Sequence, residues 1–147
     1  MTDIQEKGNE DLGYHTYVLH VRTGACENCG TDHVAEIWFV NNIGAELARV
    51  IIDGTLPMYP PNPTPTNLDK GTTYTKEFSG PPGVADCIYN YVKLTPRGGG
   101  GGSWRCDQVD VYCRQTGSQA ILLPPINPLG EDGWLEPGGS LLEYRRV

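Results

Sequence analysis

The sequence predicts an all-β protein, an antiparallel β-sandwich of about seven or eight short strands. Three observations carry this expectation. Stretches in which apolar and polar residues alternate with period two recur along the chain, and that alternation puts each set on one face of a pleated strand. Clusters of turn formers separate the stretches, drawing on 19 glycines and 12 prolines. Sustained helical periodicity is hard to find.

Residues 1–13, MTDIQEKGNEDLG, read as a polar N-terminal arm ahead of a single domain over residues 14–147. The first strand is expected over Tyr14–Thr23, where Tyr17, Leu19 and Val21 alternate with Val18, His20 and Arg22. The connection ACENCGTDH follows. The second strand, His33–Asn41, sets Ala35, Ile37 and Phe39 against Val34, Glu36, Trp38 and Val40. Asn42-Ile43-Gly44 turns the chain into a third strand over Ala45–Ile52, which Asp53-Gly54 ends. Residues 56–67, with proline at 57, 60, 61, 63 and 65, cannot feed a sheet ladder and read as an extended crossing loop.

A Thr- and Tyr-rich fourth strand is expected over Thr72–Phe78, broken by Gly80-Pro81-Pro82-Gly83. The fifth, Cys87–Leu94, alternates again. Five glycines, Gly98–Gly102, open a strand rather than a helix and lack a following lysine, so they read as a flexible loop and not as a phosphate cradle. The sixth strand covers Trp104–Arg114, the seventh Gln119–Leu123 and the last Ser140–Arg145. The expected core is Leu19, Val21, Ile37, Phe39, Val92, Val109 and Val111.

Composition narrows the function. A net charge of −7 disfavours nucleic acid, which needs a basic footprint, and direct docking on anionic lipid without a bridging cation. The polar N-terminus has no signal-like apolar core, so the expected location is intracellular, in the cytoplasm. An odd cysteine count fits that setting; with export, two bridges and one free thiol would be open. No elbow-like GxSxG and no recognisable nucleophile–base–acid set is present, so an enzyme is not expected.

Cys26-x-x-Cys29 with His33 is the sharpest metal-like cluster, but the second close pair that makes a zinc signal strong is missing. A redox motif would place the pair at a helix N-terminus, not in a β–β loop. Two ordinary cysteines, or a local disulfide in an oxidising setting, is the favoured reading. Val34, Trp38 and Val40 share the face opposite the expected core, which predicts an outward apolar stripe fit for a protein partner.

Several short motifs in order resemble the PLAT (lipoxygenase-homology) β-sandwich. They are Thr23-Gly24, Gly30-Thr31-Asp32, Phe78-Ser79-Gly80, and Trp104 five residues before Val109-Asp110-Val111, spanning Tyr14 to Cys113. The resemblance implies a non-catalytic interaction module, binding a protein partner or serving as a subunit of a larger assembly. It also implies two alternatives: a peripheral membrane module aided by calcium, or the accessory domain of a lipase- or lipoxygenase-type enzyme. For calcium, the matching loop offers Glu27, Asn28 and Asp32 as hard oxygen donors. The later loop, which in the family often carries Asp or Asn, is here Gly98–Gly102. Trp134, in a Gly/Pro-rich stretch, is the candidate membrane contact, and Trp104 is expected to pack in the core.

Overall fold

A computed structural model describes residues 14–54, 68–96, 102–125 and 132–147. The expected polar arm, the proline-rich crossing loop and most of the glycine run lie outside those residues.

Among the described residues nine strands form: β1 (His15–Thr23), β2 (Val34–Val40), β3 (Glu46–Asp53), β4 (Thr73–Gly80), β5 (Tyr89–Thr95), β6 (Trp104–Cys113), β7 (Gln119–Leu123), β8 (Trp134–Leu135) and β9 (Leu142–Arg146). A 3-10 turn, Val84–Asp86, precedes β5. Every pairing is antiparallel. Hydrogen bonding runs in the order β3-β2-β5-β9-β7-β6-β1-β4, with β8 added against β6. The two halves, β3-β2-β5-β9 and β4-β1-β6-β7, are the leaves of an antiparallel sandwich. They are linked where Leu122 and Leu123 meet Arg146 and Arg145.

The alternation read from the sequence is what builds the core. Leu19, Val21, Ile37, Phe39, Val92, Val109 and Val111 are all fully buried. Period two sends these side chains inward from facing leaves. Phe39 stacks on Phe78 with ring centroids 5.8 Å apart, and Phe78 on Tyr17 at 5.4 Å, a geometry aromatic pairs favour. Trp104 is also fully buried, and its indole N–H donates to Thr23 Oγ1 at 3.0 Å. That bond satisfies the one polar atom the ring carries into the interior. Asn90 is the exception: it is fully buried on β5, and neither its amide nitrogen nor its oxygen has a hydrogen-bond partner.

The expected stripe on β2 requires correction. Val34 is 9% exposed and Val40 only 3%, so neither stands in water. At Val40 the register with β3 shifts: Phe39 faces Ala48, but Val40 faces Glu46. Such an irregularity turns a strand end and breaks strict alternation. Trp38 alone stays half-exposed, and its cross-strand neighbour Arg49 lies over the ring, 4.0 Å from Cζ to the centroid. Glu36 accepts the Trp38 indole N–H at 3.1 Å and a bond from Thr95 Oγ1 at 2.9 Å. Arg49 is also paired with Glu46, which this partner holds below the usual carboxylate range. The face is a cation–π and carboxylate network rather than an apolar stripe.

Candidate functional site

Strand directions bring three segments to one end of the sandwich: the β1–β2 loop, residues 68–72 ahead of β4, and β8. The loop is fastened from several sides. Gly24 N–H donates to Arg105 O at 2.9 Å, Arg105 N–H to Cys29 O at 3.0 Å, and Thr31 N–H to Leu68 O at 3.1 Å. Cys26 and Cys29 form a disulfide, with Cα atoms 5.2 Å apart. Of the two readings that the cysteines left open, the local disulfide is the one adopted. Neither sulfur is a thiolate that could ligate zinc, and His33 is buried, with its backbone N–H donating to Thr31 Oγ1.

Glycine is needed at one point of this loop. A Cβ on Gly30 would come within 2.8 Å of Lys70 N and 3.0 Å of Leu68 O, so only glycine lets the loop lie against the 68–70 backbone. That close approach closes the floor of a cleft of about 600 Å³, lined by Glu27, Asn28, Asp32, Asp69, Lys70 and Trp134 among others. The three calcium donors proposed from the sequence and the tryptophan proposed as a membrane contact therefore face one space. Asp69 was not anticipated; it sits just past the proline-rich segment, where nothing in the sequence pointed to the β1–β2 loop.

Trp134 is held by structure the sequence did not reveal. It starts the two-residue strand β8 and pairs with Arg105 of β6, while Leu135 pairs with Trp104 and is buried. Gly133 supplies the turn before it with φ 80°, and its carbonyl accepts Cys106 N–H at 2.9 Å. The indole is half-exposed at the cleft edge. Arg105 Nε lies 3.1 Å from Asp107 Oδ1, an ion pair too oblique to be a hydrogen bond.

The donor set suits a hard cation in type: two aspartates, a glutamate and an asparagine oxygen. Among the described residues, no three His, Cys, Asp or Glu side chains are grouped closely enough to hold a metal by themselves. A cation here would need further oxygens from backbone or solvent. Lys70 places one positive charge in the same cleft.

No protein-family model and no curated protein sequence matches the chain. Solved structures do. A lipoxygenase (LOX) deletion variant superposes with a TM-score of 0.65 over 92% of this chain at 14% identity. The coral 8R-lipoxygenase, described as activated by calcium via a C2-like domain, gives 0.60 over 89% at 16% identity. A calcium-dependent 11R-lipoxygenase gives 0.53 over 90% at 19% identity. The likeness is one of fold. This chain spans 17% of the length of each of those proteins. At such identities the sandwich architecture is what carries over, and it is the architecture that the PLAT resemblance implied.

Proposed function

We propose that this chain is a non-catalytic, PLAT-like docking module that settles on a lipid surface with the help of calcium, as an accessory domain to larger machinery. The observation that carries the reading is the convergence of Glu27, Asn28, Asp32 and Asp69 with the half-exposed Trp134 in one cleft at one end of the sandwich. Its fold neighbours include lipoxygenases described as calcium-activated or calcium-dependent.

The chemistry follows from charge. At −7 the protein is repelled by an anionic membrane. Hard oxygens of Glu27, Asn28, Asp32 and Asp69 would hold the calcium, which supplies the positive charge that an anionic headgroup needs. Trp134 adds an amphipathic ring of the kind that favours the membrane–water boundary. Docking a protein partner on the β2 face has lost two of its three anchors, because Val34 and Val40 are buried in the chain itself.

The test is sedimentation with mixed phosphatidylcholine–phosphatidylserine vesicles, with calcium or with chelator. The module is expected to pellet with calcium and stay in solution with chelator. Combined Asp32→Asn and Asp69→Asn should abolish the difference, and Trp134→Ala should weaken binding about tenfold, or about 1.4 kcal/mol. Equal pelleting in calcium and chelator contradicts the calcium step. No pelleting in either contradicts lipid docking.

A further inference from the structure

The free cysteines are Cys87, Cys106 and Cys113, all buried. They are not equivalent. Burial pushes the Cys106 thiol up to about 12 and the Cys87 thiol up to about 11. Both are held protonated at neutral pH, and a protonated thiol is a poor nucleophile.

Cys113 stands apart on geometry. It closes β6 at the end of the sandwich opposite the cleft. Its Sγ lies 3.6 Å from Nδ1 of His15, the first residue of β1. It also lines a small cleft of about 70 Å³, whose other polar walls are His15, Tyr17, Asp86, Thr116 and Ser118. The space is far smaller than the cleft of about 600 Å³ at the other end and admits only small molecules. His15 is half-exposed, so its ring reaches solvent. The Cys113 thiol is also placed to donate to Gln115 Oε1 at 3.8 Å, an amide oxygen that accepts Thr16 N–H at 2.9 Å as well. The amide orients the turn after β6 but cannot take the thiol proton, which leaves His15 as the base within reach.

We propose that Cys113 is a peroxide-oxidisable thiol, with His15 as its proton acceptor and the small cleft as an entrance that admits oxidants the size of hydrogen peroxide. The thiol proton passes to His15 Nδ1. The thiolate attacks one peroxide oxygen, forming the S–O bond as the O–O bond breaks. The leaving hydroxide takes the proton from the imidazolium and departs as water. Sulfur is oxidised by two electrons to sulfenic acid, and the peroxide is reduced.

The experiment treats the whole chain, disulfide intact, with hydrogen peroxide at neutral pH. Samples are then denatured, remaining thiols alkylated, and each cysteine followed by tandem mass spectrometry. Cys106 and Cys113 fall between the same two arginines, Arg105 and Arg114, so fragment ions must assign them. The readout is the rate at Cys113 divided by the rate at Cys106, a ratio in which global opening cancels. It is expected to be at least about tenfold, within the range a positioned base supplies. His15→Gln, and His15→Phe as a variant that keeps the ring's bulk, should bring it close to one. With tert-butyl hydroperoxide, too bulky for the cleft, the preference should also vanish. A ratio near one in the unaltered protein, an unchanged ratio in both His15 variants, or an equal preference for the bulky peroxide overturns the proposal.

Discussion

The two ends of the sandwich share strands yet differ in almost every chemical respect. At the cleft end, the β1–β2 loop, the 68–72 segment and β8 expose Glu27, Asn28, Asp32 and Trp134 around a space of about 600 Å³. At the other end, which also carries the tight 41–45 turn, the 114–118 turn and the 3-10 turn at 84–86 leave only about 70 Å³ around Cys113. The cleft end carries the Cys26–Cys29 bridge and, on the neighbouring part of β6, the reduced and buried Cys106, whereas Cys87 and Cys113 are reduced and buried toward the second end. Ligand chemistry thus gathers where connections are long enough to carry side chains clear of the sheet. The short turns offer little beyond the packed strand ends.

If the ends are independent attachments to one core, damage to the core must disable both. Phe39→Ala removes the ring that stacks on Phe78 between the leaves. It should cost about 3–5 kcal/mol in chemical denaturation. A melt like the parent's would mean that the two leaves are not joined through this stack.

Reducing the Cys26–Cys29 disulfide should be felt at one end only. The closed loop is short, so the loss should be no more than about 2 kcal/mol. Hydrogen exchange should quicken across residues 24–33 and stay unchanged across 114–118. Equal acceleration at both ends would show that the ends are coupled, against the comparison. Thiol titration of the denatured, unreduced chain should find the three free cysteines, Cys87, Cys106 and Cys113.

The smallest expected effect has the opposite sign. Asn90 buries an amide with no hydrogen-bond partner on either atom, and such a group carries its full desolvation cost. Asn90→Leu keeps the branching at Cγ with a somewhat larger side chain and should stabilise the chain by about 1 kcal/mol or be neutral. A clear loss of stability would show that the amide is satisfied in solution.

Much of this architecture was legible in the sequence because alternation reports facing directly. Leu19, Val21, Ile37, Phe39, Val92, Val109 and Val111 could be placed inside from parity alone, and all are fully buried. Parity does not report what covers the other face. Val34 and Val40 were assigned to the outer face and expected in water; they are buried, and Arg49 lies over Trp38 through a cross-strand pairing that only the register reveals. Strand β8 escaped notice because its two residues, Trp134 and Leu135, are too few to show a period. The β1–β2 loop could be picked out by its oxygen donors. Its meeting with Asp69 and Trp134 could not, since that depends on contacts between segments far apart in sequence.

The central claim is that the cleft end meets lipid through a cation and Trp134. The most direct measurement is tryptophan emission on mixed phosphatidylcholine–phosphatidylserine vesicles in a Trp38→Phe background, where the remaining indoles are the fully buried Trp104 and the half-exposed Trp134. Calcium is expected to bring a blue shift that chelator reverses and that disappears when Asp32→Asn and Asp69→Asn are combined. An emission spectrum unmoved by vesicles and calcium together, or a shift that persists in chelator, would contradict the claim.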